Sequence, residues 1–68
     1  MIQYAVTTKN GEWTVFQDAA VLTTGLSRSA AIEMAERLAF EAEERNEPVE
    51  LLIQDYTGDL KRKLSGGE

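Results

Sequence analysis

A chain of 68 residues, 43% apolar and carrying a net charge of −5, makes one domain near the size at which burial only just offsets chain entropy. It contains neither cysteine nor histidine, which excludes disulfide staples, thiolate and imidazole metal sites and the common nucleophile triads. No apolar run approaches the ~20 residues that cross a bilayer, and residues 1–6 lack the basic region and long apolar core of a secretory signal, so a cytoplasmic location is expected.

At the start of the chain Ile2, Tyr4 and Val6 alternate, as do Trp13, Val15 and Gln17, with Lys9-Asn10-Gly11-Glu12 between them. Asn-Gly accepts the positive φ angles of a tight turn, so the two runs form a β-hairpin. Residues 18–26 fit either a short third extension or an irregular connection, and they are read as a loop with strand character. Next comes a helix over about residues 27–46, capped by Ser27 or Ser29 and stopped by Pro48. At 100° per residue, Met34, Leu38, Ala31, Ala42, Ala35, Ala39 and Ile32 occupy one arc of about 160°, the face to be buried. Its alanines imply a helix lying close against a sheet. Residues 49–54 form a β run, Asp55-Tyr56-Thr57-Gly58-Asp59 has turn composition, and residues 60–64 alternate again as a last strand.

These elements define a single α+β domain over residues 1–64, with residues 65–68 a frayed tail. The expected architecture is ββαββ, an antiparallel four-stranded sheet with the helix on one face. A right-handed crossover places the third strand beside the first, giving the order 2-1-3-4. Tyr4, Val6, Trp13, Val15, Leu51 and Ile53 then face the helix.

The pattern Gly11-x-Trp13-x-Val15, the helix sequence Ser27-Arg28-x-x-Ala31-Ile32-x-x-Ala35-x-x-Leu38-Ala39 and the later turn glycine Gly58 together resemble a small bacterial family known as domain of unknown function 2188. The likeness covers roughly residues 4–60. It implies the ββαββ fold and no catalytic or ligand residue. Members are often lysine-rich around the helix and last hairpin, whereas this helix is acidic, and that argues against nucleic acid as its ligand.

No catalytic, cofactor or metal constellation is legible, and a non-enzymatic chain without cofactor is expected. Glu41, Glu43 and Glu44 read as a solvated helix face rather than as paired acid and base. Asp55-x-x-Gly58-Asp59 lacks the alternating oxygen ligands and closing glutamate of an EF-hand, and Gly66-Gly67 has no following helix with which to hold phosphate. Residues 41–50 hold five glutamates against Arg45 alone. Lys61-Arg62-Lys63, the basic cluster, suits the blunting of an exposed sheet edge better than a phosphate contact.

What remains points to binding. Phe40 projects opposite the buried arc, among Glu33, Glu36, Arg37, Glu43 and Glu44, as an apolar anchor within a polar rim. On the sheet face away from the helix, alternation places Ala5, Thr7, Thr14, Phe16, Leu52 and Tyr56, an apolar surface that a single helix leaves uncovered. The leading expectation is a small acidic protein-binding module that forms a homodimer. The alternative is an acidic inhibitor that imitates nucleic acid, a phage-type antagonist such as an anti-CRISPR. A further alternative is weak nucleic-acid binding by the sheet and Lys61-Arg62-Lys63, disfavoured by the charge.

Overall fold

The computed structural model describes residues 1–54, 58 and 60–65, with 61–65 described as backbone alone. Strand β1 (Ile2–Lys9) turns at Asn10-Gly11 into β2 (Glu12–Gln17). Both turn residues have positive φ, 55° and 82°, the left-handed pair that a two-residue hairpin requires. A second two-residue turn follows, with Asp18 at φ 55°, and leads into β3 (Ala20–Leu26). The Asp18 backbone N–H donates to the Gln3 carbonyl at 2.7 Å, and its carboxylate accepts from the Gln3 N–H at 3.1 Å. These two bonds fix the turn against the start of β1.

Helix α1 (Arg28–Glu44) opens with Ser27 as its cap, whose hydroxyl accepts from the Ala30 N–H at 3.2 Å. It closes at Asn46, which is left-handed at φ 61°. There the Glu47 N–H reaches the Ala42 carbonyl at 3.0 Å and the Asn46 N–H reaches Glu43 at 2.9 Å, the paired bonds of a Schellman stop. After Pro48 the chain enters β4 (Val49–Gln54), and β5 (Leu60–Ser65) returns beside it. Ser65, expected in the tail, instead ends β5 opposite Glu50. The expected turn at residues 55–59 (Gly58 apart) and the tail at 66–68 lie outside the described residues.

In the sheet, β3, β2, β1 and β4 lie side by side in that order, with β5 on the outer side of β4. The α+β class is as expected, but two features of the expected sheet are corrected. Residues 18–26 are not a loop: they form the turn and an additional edge strand outside β2, so the order 2-1-3-4 is incomplete and the succession is βββαββ. The sheet is mixed rather than antiparallel, because β1 and β4 run parallel, Ile2 opposite Val49 and Val6 opposite Ile53. The second correction follows from the first. An added antiparallel strand reverses the chain once more before the helix, so the helix delivers β4 in the same direction as β1.

The core lies between α1 and the near faces of β1, β2 and β4. Ala31, Ala35, Ala39 and Ala42 are fully buried against Tyr4, Val6, Val15, Val49, Leu51 and Ile53, with Ile32, Met34, Leu38 and Trp13 closing the margins. Alanine at four successive contact positions lets the helix backbone approach the sheet with almost no side-chain layer of its own. Enlarging one of them has nowhere to go. Ala35→Leu is expected to cost about 1–3 kcal/mol in urea unfolding, whereas Glu36→Leu on the solvent side changes stability by no more than about 0.5 kcal/mol.

Candidate protein-binding surfaces

The registers assemble a surface on the sheet face opposite the helix. Ala5 pairs with Phe16 on one side and with Leu52 on the other, and Phe16 pairs in turn with Val21. Directly paired residues share a face, so Val21, Phe16, Ala5 and Leu52 form one apolar row that crosses four strands at mid-sheet. Ala5, Phe16 and Leu52 are half-buried by their neighbours, while Val21 is 58% exposed.

Polar side chains border this row at both ends of the strands. Toward the hairpin, Thr7 pairs with Thr14, whose hydroxyl lies 2.8 Å from that of Thr24, and the Gln54 Oε1 accepts from the Thr8 N–H at 2.8 Å. At the other end the Gln3 amide donates to the Glu50 carboxylate at 2.9 Å. A shallow hollow of about 300 Å³ lies at the hairpin end, walled by Lys9, Asn10, Glu12, Thr14 and Thr24.

Of the face residues expected from sequence, the structure brings Ala5, Thr7, Thr14, Phe16 and Leu52 together, and Tyr56 lies outside the described residues. Val21 and Thr24 were missed. Their strand carries a β-branched run, Val21, Thr23 and Thr24, which is a strand signal, but two one-residue bulges break its alternation, one of them at Leu22.

The second surface is the outer side of α1. Phe40 is 59% exposed, and Glu33, Glu36, Arg37, Glu41, Glu43 and Glu44 are all exposed around it. Glu33 and Arg37 approach to 3.9 Å one turn apart, a solvated contact worth little. The two surfaces lie on opposite sides of the molecule, separated by the core. The Lys61-Arg62-Lys63 segment runs along β5, the sheet edge remote from β3, and the side chains of these three residues lie outside the described set.

Among the described residues no polar or charged side chain is buried, and no three His, Cys, Asp or Glu residues converge as a metal group would require. The described helix is neither long nor apolar enough to cross a membrane. No protein-family model, curated protein or solved structure matches the chain.

Because Phe40 contributes so little to the core, its removal tests the placement directly. Phe40→Ser is expected to change the unfolding free energy by no more than about 0.5 kcal/mol, against a loss of about 2–5 kcal/mol for Leu51→Ala, which empties a fully buried site.

Proposed function

We propose that this chain is a non-enzymatic protein-binding module that self-associates through its open sheet face. One observation carries the reading: the row Val21, Phe16, Ala5 and Leu52 lies on the side of the sheet that α1 does not cover. A continuous apolar band there favours a protein surface over water. The absence of histidine and cysteine from the sequence supports binding over catalysis, and the net charge of −5 disfavours nucleic acid as the ligand. Kinship with the domain of unknown function 2188 family is proposed on Gly11, Trp13, Val15 and the Ala31–Ala35–Ala39 helix face, and it adds a fold without an activity.

A second reading rests on Phe40. An exposed ring among carboxylates on a helix is suited to a basic groove with an apolar pocket, and a nucleic-acid-handling protein is the partner such a surface would antagonise. In that case Glu43→Lys with Glu44→Lys abolishes a salt-sensitive interaction, and unchanged affinity removes the idea.

Solution mass by light scattering over a dilution series separates the two surfaces. The wild type is expected at dimer mass, Phe40→Glu likewise, and Leu52→Glu as a monomer with unchanged far-UV circular dichroism. A wild type that is monomeric at millimolar concentration ends the self-association reading. Dimerisation lost in Phe40→Glu and kept in Leu52→Glu would transfer the interface to the helix.

A further inference from the structure

The relief of the apolar row limits how two copies can meet. Across the sheet it reads Val21, Phe16, Ala5, Leu52, a large ring beside a methyl group, each on a neighbouring strand. Stacked sheets pack about 10 Å apart and fill that gap by interdigitation. Phe16 facing Phe16 would overfill it, and Ala5 facing Ala5 would leave it empty. A two-fold axis parallel to the strands and midway between β1 and β2 removes both faults, since it sets each Phe16 over the partner's Ala5 and each Val21 over the partner's Leu52.

We infer that the open face is a self-complementary interface whose occupant is a second copy of this chain, stacked so that Phe16 of one copy fills the hollow above Ala5 of the other. The inference rests on the self-association reading and gives it a register. In an isologous contact of this kind residue i meets j and j meets i, so the large-small pair is used twice.

The relief matches a second copy, and charge sets which faces of the two copies meet. Two chains of net charge −5 repel, and among the strand residues whose side chains are described this face carries Lys9 and Glu12 at one end and the Gln3-bound Glu50 at the other, whereas the outer side of α1 holds Glu33, Glu36, Glu41, Glu43 and Glu44 against Arg37. Like charges are therefore kept furthest from one another when the sheet faces meet. With that axis β3, β2, β1 and β4 of each copy overlap and β5 overhangs, so strands about 4.8 Å apart and about 20 Å long bring roughly 400 Å² of flat face per copy into contact before side-chain relief, no more than the small end of specific interfaces, and the dimer should dissociate on dilution. Edge-to-edge pairing through β3 is opposed by its two bulges, a device that discourages added strands.

The test uses the geometry of the swap. Ala5→Phe alone sets ring against ring, and Phe16→Ala alone sets methyl against methyl, so each variant is expected to be a folded monomer with dimer affinity reduced at least tenfold. Mixed in equal amounts, the two restore both contacts, and a heterodimer of near wild-type affinity should appear by light scattering and by exchange of an affinity tag. The double variant Ala5→Phe with Phe16→Ala keeps the summed volume of this cross-strand pair and should dimerise with itself, which covers the case of a single variant that fails to fold by circular dichroism. A wild-type dimer whose single variants neither recombine nor are rescued by the double variant overturns this packing while leaving self-association standing. A dimer indifferent to all three variants overturns this packing and moves self-association off the sheet face, and no wild-type dimer at all overturns both readings.

Discussion

The distance between the helix and the sheet governs the rest of the molecule. Four alanines, Ala31, Ala35, Ala39 and Ala42, are the fully buried residues of α1, so the bulk of the core is supplied from the sheet side by Tyr4, Val6, Val15, Val49, Leu51 and Ile53. Close approach gives dense packing with few large side chains, which suits a chain this short. It also concentrates the cover. The helix lies over β1, β2 and β4, and the residues of β3 are exposed or at most half-buried. One helix covers one face, and the opposite face keeps whatever its alternate residues provide.

Strand β3 shows how an element that buries little can still decide the topology. It contributes no fully buried residue, yet by adding one reversal it sends the chain into α1 from the far edge and makes β4 parallel to β1. It also widens the open face, adding Val21 to the row and Thr24 to the threonine border. The same strand therefore sets both the direction of the central pairing and the breadth of the surface opposite the helix.

Much of this was legible in the sequence, and the missing part has one physical source. The Asn10-Gly11 turn, the Ser27 cap, the alanine arc and the outward position of Phe40 all follow from local rules that the structure obeys. The strands β1, β2 and β4 alternate cleanly because one face of each meets a core. Strand β3 meets almost none, so nothing in the packing requires alternation there, and its bulges displace what remains. Its entry turn uses Asp18 in the left-handed conformation without glycine beside it, held by hydrogen bonds to Gln3 that lie fifteen residues away and cannot be read locally. With β3 read as a connection, an antiparallel β1–β4 pair is the consistent expectation, and the extra reversal made by β3 is what overturns it. The row on the open face was legible in part, because Phe16, Ala5 and Leu52 belong to the alternating strands and Val21 does not.

The parallel pairing of β1 with β4 also has a kinetic consequence. Strands β1, β2 and β3 are joined by two-residue turns and can zip together from neighbouring contacts, a sequence of short loop closures. The pairing of Ile2 with Val49 instead joins residues 47 positions apart in the chain, with β2, β3 and α1 between them. On a ribosome, the strand that ends at the centre of the sheet is made first and acquires its second neighbour only after the helix has emerged. Until then one edge of β1 is unpaired, and the interval before β4 arrives is when this small domain is most open to pairing with the wrong chain.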